Sequence, residues 1–407
     1  MKRIMLATLL IPAGICAFVL TCRLPTLACA LWVLVLETSP DFWLDRLIGH
    51  HEAIIAAMKA FGLLLAAVLA LRAGLRADRY NPAWAFFLIF CTGLMHGLYP
   101  GLSLPGSARS LLGSAAPFLF GFLRLPAPVV RAVKCCAILA PAATVGFGLA
   151  LALAGCDQMY EFEQGALRLG ASGEPPFLAG FALIGVYAGL LEFLAGGATL
   201  YLGVTGLNLV IILCTGARGP LLLGLAVTIA VLARQGRLRL LAALGALLSL
   251  TVMFAPDLTL FRVIDLARLG EAESLSNRAL VWPYFQHAFA ASPFFGWGIG
   301  AGKVIIPLTS PLAAELGTNA AHNEYLRIGA EGGALGLGTL LLSLWLWVKR
   351  GSAALAPEPR WFMRLVFCAF ALHSVTDNTL IATTSSVFFL WVSAVFATAS
   401  YPTKPAT

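Results

Sequence analysis

The chain has 407 residues, of which 60% are hydrophobic and 11% charged, with a formal net charge of +8. Soluble domains carry about 25% charged residues, so a water-soluble globule is excluded and lipid must solvate most of this sequence. The positive charge does not point to nucleic acid, because the basic residues gather in short clusters between apolar runs, the pattern that sets membrane orientation.

The apolar runs are long enough to span a hydrocarbon layer roughly 30 Å thick and must be helical, since lipid offers the backbone no partner. The fold class is therefore an all-α integral membrane protein with about twelve transmembrane helices. Lys2 and Arg3 precede the first apolar run, and no small-residue cleavage site follows, so residues 4–37 read as a retained signal anchor forming one broken span or two. Later spans are expected near 53–71, 83–99, 107–123, 132–154, 178–195, 199–214, 219–233, 239–255, 322–348, 362–376 and 384–400. Basic clusters follow at Arg72, Arg76 and Arg79, at Arg124, Arg131 and Lys134, at Arg234, Arg237 and Arg239, and at Lys349, Arg350, Arg360 and Arg364. Of the acidic residues only Asp78 and Glu358 share those loops. Alternation puts every basic cluster on one, cytoplasmic side and places 38–52, 156–177, 256–321 and 377–383 outside. Residues 1–407 then form a single polytopic domain, with 256–321 as its largest loop. Within that loop 264–290 has helical character and mixed polarity, suited to a helix at the membrane interface or capping a cavity. The nine cysteines lie mostly in apolar runs and form no metal-binding CxxC pair.

Three segments concentrate polar chemistry on the outer side. In CTGARGPLL, residues 214–222, Arg218 stands at a helix junction against the positive-inside trend. Its planar guanidinium can chelate phosphate oxygens, although an arginine snorkelling to headgroups would look the same. In residues 275–302, Arg278 is the natural candidate for a second anion contact, and Trp282, Tyr284 and Phe285 could anchor the segment in the interface. The glycines at 296, 298, 300 and 302 fail the phosphate-loop pattern, because Trp297 stands where its first glycine belongs and Val304 follows Lys303. They read instead as a tight loop that lets backbone approach a ligand. In AHNEYLRIGAEGGALGLG, residues 321–338, His322 opens a long helix and could act as general base or as a polar cap. Gly329, Gly332, Gly333 and Gly336 form a packing face. Glu324 and Glu331 are candidates by virtue of their depth, with pairing of Glu331 to Arg327 an equally good structural role. His96 and His373 read as helix–helix hydrogen-bonding residues, and Asp377-Asn378 as a turn that could line a cavity. No outer-side metal motif is evident.

At these segments the chain resembles the O-antigen ligase and polymerase superfamily of bacterial lipid-linked glycan transferases. The resemblance rests on TGARG at 215–219, NRALVW at 277–282 with PFFGWGIG at 293–300, HNEYL at 322–326 and EGGALG at 331–336. RLGASGEPPFLAG at 168–180 is similar to the family's loop before a span, with Pro176 where the family often has Asn. The likeness covers roughly residues 160–400 and implies a glycosyltransferase C-type-like fold in the bacterial inner membrane, with a periplasmic loop carrying short helices and a periplasmic active site. It implies an undecaprenyl-diphosphate-linked glycan as donor, lipid A-core or another glycan as acceptor, membrane lipids as surroundings, and neither cofactor nor nucleic acid. By carry-over, Arg218 and Arg278 hold the diphosphate and His322 takes the acceptor's proton, giving metal-independent inversion. Asn323, Tyr325 and Trp282 join Arg218 and Arg278 in the substrate-binding set. Chain length and a compact outer loop favour ligation in lipopolysaccharide biosynthesis over repeat-unit polymerisation. A flippase or transporter would place polar residues through the bilayer midplane instead.

Overall fold

The computed structural model describes residues 2–163, 166–254 and 280–398, and among these the chain is a helical bundle with one β-hairpin. Helices α1 (Lys2–Arg23) and α2 (Pro25–Glu37) are separated only by Leu24, where Pro25 has no N–H to continue the ladder. Helix α3 (Pro40–Ile48) bends 68° away from α2. Then come α4 (His51–Ala73), α5 (Ala83–His96), α6 (Leu104–Ala115) and α7 (Ala127–Leu153). An antiparallel hairpin of β1 (Tyr160–Glu163) and β2 (Ala166–Leu169) leads into α8 (Pro175–Gly196), α9 (Leu200–Thr215), α10 (Arg218–Arg234) and α11 (Leu238–Phe254). After the undescribed stretch 255–279 come α12 (Trp282–Ala291), α13 (Pro311–Leu316), α14 (Glu324–Gly351), α15 (Pro357–His373) and α16 (Thr383–Thr398).

Helices α4, α7, α8 and α14 are each long and apolar enough to cross a membrane, and the bent pair α2–α3 makes a fifth crossing if counted as one span. The helical membrane class expected from composition is therefore present, but the long helices do not account for twelve crossings one by one. Hydropathy windows run over breaks that the backbone enforces. The stretch expected as one span at 107–123 is α6 followed by a 3-10 helix, Ala116–Phe122, with Pro117 in its first turn. Helices α5 and α9 stop at Gly97 and Gly216, both with positive φ. The helical character expected over 264–290 falls largely outside the described residues; its described part, 280–290, holds all of α12 but its last residue.

Packing explains why the bundle holds in lipid, where burial of apolar surface between helices gains little. Helices α8 and α9 approach closely because Gly185 and Gly189 sit under Asn208 and Thr205. Asn208 donates from Nδ2 to the carbonyls of Ile138 and Val204, both at 3.1 Å, tying α7 to α9. A cluster of rings, with Phe118 and Phe389 centroids 4.1 Å apart and Phe370 stacked on Phe388 at 4.9 Å, fills the space between α15, α16 and the 3-10 helix.

The loops sort to two ends. The backbones of Gly74 and Arg76 hydrogen-bond those of Arg124 and Phe122. Arg350 lies over the Tyr80 ring, and Arg234 pairs with Glu358 at 2.8 Å. All four basic loops thus meet at one end, as the charge pattern requires. At the opposite end Arg46 of α3 pairs with Asp157 and Glu161, and Ser172 donates to the carbonyl of Thr38.

Helix α14 is opened at Gly333, whose φ of 60° and ψ of −164° are not helical. An unbroken helix would bond the N–H groups of 334 and 335 to the carbonyls of 330 and 331. Here Ala334 and Leu335 donate instead to Pro293 and Phe294, while Trp297 and Gly298 donate to Ala330 and Glu331, all within 2.7–3.1 Å. The glycine-rich loop 293–300 fits the gap and leaves none of these four helix groups unpaired, the accounting that a membrane interior demands. This corrects two expectations. What the loop's backbone approaches is the opened helix, and Gly333 is the break itself. Gly332 and Gly336 do pack, against Ile89.

Candidate active site

The first two turns of α14 bury Arg327 between two carboxylates. Glu324 accepts at 2.6 Å and Glu331 at 3.0 Å, and all three side chains are almost wholly buried. The remaining carboxylate oxygens are also engaged: Glu324 accepts from the Leu380 N–H at 2.8 Å and Glu331 from the Gly302 N–H at 3.2 Å. These carboxylates therefore pin the 377–382 and 296–303 loops to α14, which decides between the two roles open to Glu331 in favour of the structural one.

That framework presents His322. The residue has a φ of 47°, a left-handed conformation that His and Asn tolerate better than most side chains. It does not cap α14. Asn323 does, accepting from the Leu326 N–H at 3.1 Å. His322 is held by Asn378, whose Oδ1 accepts from the His322 backbone N–H at 3.1 Å and whose Nδ2 lies 3.2 Å from the imidazole Nδ1. Because the backbone N–H fixes which end of the amide is oxygen, Nδ2 is the donor and Nδ1 the acceptor. The ring proton then sits on Nε2, 3.4 Å from Thr318 Oγ1. Asp377 Oδ1 is 3.7 Å from Nδ1, too far for a hydrogen bond but close enough to stabilise an imidazolium. The other oxygen of Asp377 is 3.3 Å from His373 Nε2.

His322, His373, Asp377 and Asn378 line one cavity of about 340 Å³, which is completed by Glu174, Pro176 and Phe177 at the start of α8, by Tyr187, and by Thr384 and Ser385 of α16. Asp377 and Asn378, the neighbours of Nδ1, belong to this lining, whereas Thr318, the neighbour of Nε2, does not. In the tautomer that Asn378 selects, the nitrogen beside these lining residues is the unprotonated one. This cavity lies at the end of the bundle opposite the basic loops.

Arg218 is the first residue of α10 and half-buried. Its chain neighbour Gly219 abuts His373, since a Cβ added there would lie 3.9 Å from His373 Cδ2. The N-terminus of α10, with its partial positive charge, therefore reaches the cavity wall. The junction before it is fixed by Arg168, which donates from Nε to the Thr215 carbonyl at 2.9 Å. Arg278 lies outside the described residues.

The other expected binding residues are placed differently. Asn323 spends its side chain on the cap. Trp282 donates from Nε1 to the Ala321 carbonyl at 3.0 Å, so it steadies the residue before His322. Tyr325 donates to the Ala371 carbonyl at 2.9 Å and lines a separate cavity of about 540 Å³ between α14 and α15. Sequence reasoning assigned His373 to helix packing and gave Asp377-Asn378 a minor place. A signal was present: His373 and Asp377 are spaced i, i+4 across a helix end, and a carboxylate beside a histidine is the usual device for orienting a base.

Comparison with known proteins bears on the same region. No curated protein matches the chain. The family model described as O-antigen ligase matches residues 203–341, a stretch that holds Arg218, Arg278, Trp282, His322, Asn323 and Tyr325. It ends before His373, Asp377 and Asn378, which the tertiary structure adds. Residues 203–341 are thus similar to an O-antigen ligase domain, and this match supports the likeness to the O-antigen ligase and polymerase family.

Proposed function

We propose that the protein transfers a glycan from an undecaprenyl diphosphate carrier to an acceptor sugar at the extracytoplasmic face of the inner membrane, and that the acceptor is the lipid A-core, making it a ligase. The observation that carries this reading is the clamped His322, which lines a cavity with His373, Asp377 and Asn378 at the end away from the basic loops and whose Nδ1 lies beside Asn378. In the proposed step the acceptor hydroxyl displaces the Asn378 amide from Nδ1 and gives its proton to that nitrogen. Its oxygen forms a bond to the donor's anomeric carbon as the bond from that carbon to the diphosphate oxygen breaks. The electron pair leaves with the diphosphate. The growing negative charge is met by Arg218, by the α10 N-terminus and by Arg278, while Asp377 stabilises the imidazolium. A single displacement inverts the anomeric centre, and two guanidinium groups can supply the positive charge without a metal.

Purified protein, lipid-linked donor and lipid A-core acceptor, assayed in the presence of a chelator, test the step. His322→Asn is the informative variant because Asn also tolerates positive φ. It should lower transfer about 10² to 10⁴-fold, as loss of a general base does, while the protein stays folded. Near-normal transfer by His322→Asn would falsify the base assignment. Products elongated on the carrier, with none on lipid A-core, would make the protein a polymerase.

A further inference from the structure

Helices α2, α4, α6 and the start of α16 enclose a second cavity of about 560 Å³. Its walls are mostly apolar, including Trp32, Leu63, Leu112 and Phe120, yet Lys59 and Arg109 also face it. Lys59 stands eight residues into α4, about 12 Å along the axis from its first residue. A cation at that depth of a span is costly unless it has a partner or a task. Among the described residues neither Lys59 nor Arg109 makes a hydrogen bond or ion pair with the protein. Glu52 lines the same cavity without pairing to either, so the lining carries one anion against two cations. The positive field extends beyond it: desolvation by the surrounding protein, then the charge of Lys59, hold the Lys303 ammonium below the usual lysine range.

The second cavity meets the first. Ile381, Ala382 and Ser385 line both, so among the described residues the turn entering α16 is a shared wall, with Lys59 and Arg109 on one side and His322 on the other. A ligand suited to the second cavity has apolar chains, a phosphorylated head and a group reaching past this turn. We infer that this cavity seats the lipid-borne acceptor, with Lys59 and Arg109 on its phosphate groups and its sugar extending over residues 381–385 toward His322. The inference rests on the transferase reading above and assigns the acceptor's side of that reaction. Lysine and arginine suit phosphate there because neither releases its proton at working pH and arginine can bind two oxygens at once.

The test is Lys59→Gln with Arg109→Gln in the full chain, reconstituted in nanodiscs, with Arg131→Gln at the basic end as control. Native mass spectrometry would titrate three probes: a bis-phosphorylated lipid A-type glycolipid, phosphatidylglycerol and undecaprenyl diphosphate. The double variant should lose at least about tenfold in glycolipid affinity and keep undecaprenyl diphosphate affinity, whereas each cation contributes charge-assisted bonds only to the first. In turnover its KM for the acceptor should rise by a similar factor, with a smaller change in kcat. Unchanged glycolipid affinity overturns the inference. So does equal binding of phosphatidylglycerol and glycolipid by the native protein, which would mark a site for any anionic lipid. Failure of the transferase reading itself shows separately, as absent transfer by the native protein, and does not alter the binding readout.

Discussion

Arg327 and its two carboxylates offer the sharpest test of what holds the site. Removing the arginine, as Arg327→Leu, strands Glu324 and Glu331 in a region where both are almost fully buried. Breaking a buried ion pair from one side costs about 3–5 kcal/mol, because the remaining charge has no solvent. Glu331→Gln is milder. The amide oxygen can still accept from the Gly302 N–H, and Arg327 keeps Glu324, so the loss is one charge-assisted bond, about 1.5–3 kcal/mol. Unfolding of the purified variants in detergent, followed by tryptophan fluorescence, should therefore rank Arg327→Leu least stable and Glu331→Gln between it and the native protein. Transfer, measured on the folded fraction, should fall only as far as folding does. The reasoning is refuted if Glu331→Gln keeps the native unfolding midpoint yet transfers below about 1% of the native rate, the signature of a lost catalytic carboxylate.

Arg218→Lys keeps the charge but loses the planar fork, so turnover should fall at least about tenfold with normal protein level; a native rate would remove phosphate chelation from its role. Gly333→Ala places a Cβ against the Phe294 backbone in a conformation that glycine alone adopts readily. Strain of about 1–3 kcal/mol plus the clash should lower the unfolding midpoint, and an unaltered midpoint would mean that the helix is not open there. Thr309→Cys, in a Cys156→Ser background, should react with an impermeant thiol reagent in intact, outer-permeabilised cells; labelling only after lysis would invert the orientation and move the site to the cytoplasm.

The sequence by itself determined the solvent, the helical class and the two ends of the bundle. Charge and hydropathy are one-dimensional signals, and membrane orientation is read from them directly, so the four basic loops do meet at one end. It also marked which stretches stand out as candidates, because a histidine before a long apolar helix and an arginine at a helix junction contradict the local trend. Tertiary structure decided what each of those residues contacts. The cap passed from His322 to its neighbour Asn323, and the glycine-rich loop proved to complete a broken helix. The partners of His322 are Asp377 and Asn378, more than fifty residues away along the chain. No periodicity could link them, since they meet only because α14 and α15 run side by side and end together. Hydropathy likewise read continuous spans where proline and glycine stop the helix, because an apolar window registers transfer free energy and is blind to whether the backbone can keep its hydrogen bonds.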